Sequence, residues 1–112
     1  MTALVDHRSV GHRTVLSVFG EVDLDTAPAL GSAIDRALDA GASELWIDLS
    51  ATDFLDSAAI HTLFRGEHRA LELNRTLAII CPSGNVRRVL EISGMLAHFQ
   101  VYEDREAAHR AA

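Results

Sequence analysis

Hydrophobic and polar positions change their period several times along the chain, and each change marks an element. Residues 3–8 and 14–19 read as two strands, and Ser9-Val10-Gly11-His12-Arg13 between them predicts a hairpin. Leu30, Ile34, Ala37 and Leu38 then recur at helical spacing. Thr26 can cap that helix, Pro28 loses no intrahelical bond in its first turn, and Gly41 is a C-terminal stop. Leu45, Ile47 and Leu49 alternate with Trp46 and Asp48. Because Trp46 is apolar too, this strand is expected to be covered on both faces and to lie inside the sheet.

Helical spacing returns with Ile60, Leu63, Phe64 and Leu71. It predicts a helix over 57–73 that ends at a left-handed Asn74 and is interrupted by Gly66, at a cost of about 1 kcal/mol relative to Ala. A continuous apolar strand over 76–81 follows, then a turn and cap at Pro82-Ser83-Gly84-Asn85. Val86, Val89 and Leu90 form the stripe of a third helix ending at Ser93-Gly94, and 99–102 is the last strand. Asp104 can cap a short terminal helix to about 110. Its Ala107 and Ala108 offer little apolar area, so this end is expected to fray.

The implied fold class is α/β: an N-terminal β-hairpin, then helices alternating with strands through short connections, which forms a mainly parallel sheet by right-handed crossovers. The 112 residues suffice for a single domain, 1–112, that buries about two-thirds of its unfolded surface. In such sheets functional groups gather beyond the C-terminal ends of strands, where the turns 21–25, 50–57 and 82–85 fall. The central turn places Asp48, Asp53 and Asp56 around the hydroxyl of Ser57, which faces outward at the start of a helix.

Composition narrows the function. The formal charge is -6 and all ten basic residues are Arg, a balance that argues against direct nucleic-acid binding. Cys81 is the only cysteine; it excludes an internal disulfide and reads as a small buried hydrophobe. The apolar run 77–81 is far too short to span a bilayer, and no apolar signal segment opens the chain, so a soluble protein of a reducing cytoplasm is expected. The six histidines show no metal spacing, with His61 and His68 separated by Gly66, so neither metal nor cofactor is expected. With no lysine, no Gly-Lys-Ser/Thr loop and no Gly-x-Ser-x-Gly elbow, the chain does not read as an enzyme.

Three segments carry a resemblance: Gly20-Glu21-Val22-Asp23, Asp53-Phe54-Leu55-Asp56-Ser57, and Val86-Arg87-Arg88-Val89-Leu90-Glu91-Ile92-Ser93-Gly94. Together they resemble the sulfate transporter and anti-sigma factor antagonist (STAS) domain family, over nearly the whole chain. The resemblance implies a stand-alone bacterial anti-sigma factor antagonist. In such members the serine matched by Ser57 is phosphorylated by an anti-sigma factor that is also a serine kinase and binds the ATP. Only the unphosphorylated antagonist binds that partner and so releases a sigma factor. The family motif reads Asp-Ser-x-Gly, and Ala59 stands here in the glycine position. Ser57 is thus the expected phosphoacceptor, and Asp23, Asp25, Asp53, Asp56, Ser57 and Ala58 are the expected partner-binding residues. Read without the family, Ser57 is a helix N-cap, and Asp53 and Asp56 are turn or cap residues. The alternative function is a kinase-independent STAS scaffold or a ligand-sensing interaction module.

Overall fold

The computed structural model describes residues 4–111, so the expected strand start at Ala3 lies outside the described residues. Strand β1 (Leu4–Val10) and strand β2 (Arg13–Val22) form the expected antiparallel hairpin, with only Gly11 and His12 in the turn. Helix α1 (Ala27–Asp39), strand β3 (Glu44–Asp48), strand β4 (Thr52–Leu55), helix α2 (Ser57–Glu72), strand β5 (Thr76–Ile80), helix α3 (Asn85–Ile92), strand β6 (Gln100–Tyr102) and helix α4 (Arg105–Ala111) follow. The sheet order is β1-β2-β3-β5-β6, with every pair after the hairpin parallel.

The length of β2 decides the layout. Its first half, from Arg13 to Ser17, pairs with β3, and its end, Gly20 to Val22, pairs with β4. The chain therefore breaks from β2 after Asp48 and rejoins it at Thr52, whose hydroxyl donates to the Val18 carbonyl at 2.8 Å. The stretch expected to be an acidic turn from Ser50 to Ser57 thus contains a short parallel strand. Four residues with two polar members carry too weak an alternation to announce it.

Side chains alternate across the sheet. Leu16, Val18, Leu45, Ile47, Leu77 and Ile79 face one layer and pack with Leu30 and Ile34 of α1, Leu63 of α2 and Leu90 of α3. Gly66, expected to interrupt α2, lies in an unbroken helix where α1 crosses closely: a Cβ on it would meet Ile34 Cδ1 at 3.1 Å and Cγ2 at 3.2 Å. Asn74 does adopt the left-handed conformation, with φ 58°.

On the opposite face Trp46, Ala78 and Ile80 are covered by α4, with Ala108 2% exposed against them. As expected, Trp46 is buried and β3 lies inside the sheet, between β2 and β5. Helix α4, expected to fray, is helical through Ala111, and polar anchoring supplements its small apolar area. Asp104 caps it through the Ala107 N–H at 2.8 Å. Arg105 Nε donates to Asp48 Oδ2 at 2.7 Å, and Arg105 Nη2 to Ser17 Oγ at 2.9 Å. The His109 ring meets Trp46 edge-on at 4.8 Å, and Arg13, whose Nη1 lies 3.0 Å from His109 Nδ1, stacks 3.8 Å from the indole centroid.

Asp48 is only 7% exposed, so losing its partner leaves a nearly buried carboxylate. Arg105→Ala is expected to lower unfolding free energy by about 1–3 kcal/mol in urea titrations. Arg110→Ala, which removes only the exposed pair with Glu106, is expected to change it by less than about 0.5 kcal/mol. Equal effects would show that α4 is not anchored through Asp48.

Candidate functional site

The C-terminal ends of β2 and β4 bring two turns together, and one carboxylate joins them. Asp56 has extended backbone angles, φ -112° and ψ -171°, and is the N-cap of α2. Its Oδ1 accepts the N–H groups of Ala58 at 2.9 Å and Ala59 at 3.1 Å, while Oδ2 accepts the Leu24 N–H at 3.1 Å from the turn between β2 and α1. Ser57, which taken alone reads as the cap, is instead the first helical residue. The reason is geometric: at the first helical position the side chain projects outward, whereas the residue before it can curl back onto the free N–H groups.

Ser57 is consequently exposed, and its hydroxyl makes no hydrogen bond among the described residues. Ala58 is half-buried beside it. Ala59 is fully buried and belongs to the main core, so the departure from the family glycine points inward and leaves the outer surface at Ser57 unobstructed.

The second turn is held by Asp23. Its Oδ1 accepts the Asp25 N–H at 3.0 Å and the Thr26 N–H at 3.1 Å. Thr26 does stand at the N-cap of α1, but its side chain caps nothing in the helix; it accepts the Asp23 N–H and donates to the Glu21 carbonyl, both at 2.9 Å. Reduced hydration in the turn pushes the Asp23 carboxyl upward. The Thr26 hydroxyl and the Thr26 and Asp25 N–H groups outweigh this and hold it below the ordinary carboxylate range.

Asp56 and the adjoining Ser57 are therefore brought together with the 23–25 turn, Asp53 is exposed on β4 with no side-chain hydrogen bond among the described residues, and Asp48 lies elsewhere. Its carboxylate accepts from the Ser50 N–H at 2.9 Å and from Arg105, on the face covered by α4. Two apolar residues escaped the sequence reading: Leu24, 75% exposed, and Phe54, 48% exposed, each set among acidic residues flanking Ser57. The signal was available in principle, since an apolar residue inside an acidic loop has no core to enter. Leu24 also opens a groove of about 770 Å³ between α1 and α2, whose α2 wall includes Ala58, His61 and Arg65.

Away from this surface, burial pushes the Cys81 thiol up to about 11 despite the opposing Arg87 charge; it is a core group, as its sequence context implies. No group of three His, Cys, Asp or Glu among the described residues is arranged to hold a metal ion. No helix among them is long and apolar enough to cross a membrane.

The family model described as the STAS domain matches residues 4–108. The chain is 30% identical over 99 residues to the anti-sigma-F factor antagonist RsfB of Mycobacterium tuberculosis, covering 88% of this chain and 78% of that protein. It superposes with a TM-score of 0.88 on the crystal structure of an anti-sigma factor antagonist from Mycobacterium paratuberculosis, at 28% identity, covering 97% and 92% of the two chains. The Bacillus cell fate determinant SpoIIAA in its phosphorylated form shares the fold, with a TM-score of 0.73 at 18% identity over 97% of this chain and 100% of that one.

Asp56 accepts three backbone N–H groups and Ser57 contacts none, so their substitutions should separate. Asp56→Ala is expected to cost about 1–2 kcal/mol in denaturant unfolding, and Ser57→Ala less than about 0.5 kcal/mol. Asp23 generates a pH signature of definite sign. Its lowered folded value means its contribution is fully present above the pKa of the unfolded carboxylate and is lost as pH falls through the folded value. Thermal unfolding followed from pH 7 toward pH 2 should therefore show a shallower acid decline in Asp23→Asn than in the parent, and an unchanged decline would remove Asp23 from the acid-sensitive set.

Proposed function

Because the chain belongs to the STAS domain family, we propose that it is an anti-sigma factor antagonist that works as a phosphorylation-controlled binding protein rather than an enzyme. In this reading the unphosphorylated chain binds an anti-sigma factor with serine kinase activity and thereby frees a sigma factor. The observation that carries it is Ser57: an exposed, unengaged hydroxyl at the first position of α2, on the residue that matches the family's phosphoacceptor. The binding surface comprises Asp23, Asp25, Asp53, Asp56, Ser57 and Ala58, with exposed Leu24 and Phe54 supplying its apolar contact.

The switch is electrostatic and local. The γ-phosphoryl group of ATP bound by the partner passes to Ser57 Oγ, the hydroxyl proton is released and ADP leaves. The product gains about -1.5 to -2 charges beside Asp53 and Asp56. A partner surface shaped around a neutral hydroxyl must then desolvate a dianion, and a loss of only about 2.7 kcal/mol is a hundredfold in affinity. The fold itself tolerates the change, because Ser57 contributes no internal hydrogen bond and faces solvent.

Incubation with a cognate anti-sigma kinase and ATP, followed by intact mass and peptide mapping, tests the assignment. One phosphate on the parent and none on Ser57→Ala is expected; equal labelling of both, or phosphate mapped to Ser50 or Ser83, overturns it. Ser57→Asp and Ser57→Glu should stay folded by circular dichroism and bind the partner roughly tenfold or more weakly, the loss shrinking with added salt. Full-strength binding by both at low salt would favour a scaffold that no kinase controls.

A further inference from the structure

The start of α2 is poorly furnished for an added anion, even though helix N-termini usually receive one. The Asp56 carboxylate already occupies the Ala58 and Ala59 N–H groups, and the Ile60 N–H is taken by the Asp56 carbonyl at 3.1 Å. Of the first four N–H groups of α2 only that of Ser57 itself is free among the described residues, so charge that balances a phosphate there has to come from side chains. Most charged groups around it are acidic: Asp53 and Asp56 at the end of β4, Asp23 and Asp25 in the neighbouring turn, and Asp35 of α1 on the groove wall.

The exception lies along α2 itself. Ser57, His61 and Arg65 are spaced i, i+4, i+8, which puts them in one row about 6 Å apart along the helix axis. Helical side chains lean toward the N-terminus, so the exposed His61 ring covers the turn that begins with Ser57. Arg65 stands about 12 Å away along the axis, and Arg69, at the next step, is already held by Asp35 and Asp39 at 2.7 and 2.5 Å.

We propose that His61 is the charge partner of phosphate on Ser57, so that imidazole protonation tunes how strongly the modified surface repels a partner. This rests on reading Ser57 as the phosphoacceptor. With the ring protonated, the added charge is partly offset within the protein; with it neutral, the dianion stands among carboxylates uncompensated.

The test uses the full chain with phosphoserine encoded at position 57 during translation, so that no kinase is needed, and follows the second ionisation of the phosphate by ³¹P NMR from pH 4.5 to 8 at low salt. In His61→Gln the midpoint should lie about 0.3–0.6 pH units above that of the parent. His61→Arg should keep it at or below the parent's, and Arg65→Gln should move it less than His61→Gln does. The same midpoint in parent and His61→Gln, or a larger shift in Arg65→Gln, overturns the assignment. Failure of an anti-sigma kinase to label Ser57 would instead overturn the function proposed above, because this titration reads an installed phosphate.

Discussion

Three backbone N–H groups, two from the start of α2 and one from the turn before α1, converge on the Asp56 carboxylate. That convergence sets the whole surface. It starts the helix one residue earlier than a serine cap would, which turns Ser57 outward, and it ties the 23–25 turn to the same spot. An ionised carboxylate suits the task because its two oxygens can serve two segments at once, and its charge sits favourably at a helix N-terminus. An asparagine or serine in its place would serve one segment only. Such a cap also occupies the Ala58 and Ala59 N–H groups, which leaves the Ser57 hydroxyl presented to solvent.

Behind the site, the long strand β2 acts as a common rail. Its first half carries β3 and its end carries β4, so the Ser57 turn and the Asp23 turn are fixed to the same strand terminus. Rigidity there matters for a switch of this kind, since a local charge discriminates between two states of a surface only if the surface is held in place in both. The helix α4 has a different part. It covers Trp46 on the far face and neutralises Asp48 through Arg105, so a residue that belongs by sequence to the acidic cluster is spent on closing the core.

The exposed surface combines acidic groups with Leu24 and Phe54, a composition suited to a partner that brings complementary charge around an apolar contact. In the switch proposed above, charge does two jobs. Before modification the carboxylates steer a cationic partner and fix its register. After it, the added phosphate overloads the same patch, and the only imidazole in the row along α2 becomes the local counterweight. On that proposal, affinity responds to one covalent group without any rearrangement of the fold.

Period and composition alone disclosed the hairpin, the order of helices and strands, the buried character of Trp46 and Cys81 and the left-handed Asn74, while the family came from the resemblance of three motifs. These were legible because each rests on neighbours in sequence: alternation, helical spacing, or a residue type demanded by a local backbone angle. What was hidden depends on contacts between distant segments. Strand β4 exists because β2 runs on far enough to receive it. Asp56 displaces Ser57 as the cap because Leu24, more than thirty residues away, shares its carboxylate, and Asp48 leaves the acidic cluster because Arg105 reaches it from the last helix. Carboxylates in sequence are interchangeable as charges, and only the tertiary structure decides which one caps a helix, which one closes the core and which one stays on the surface, because that depends on which donors the fold brings within about 3 Å.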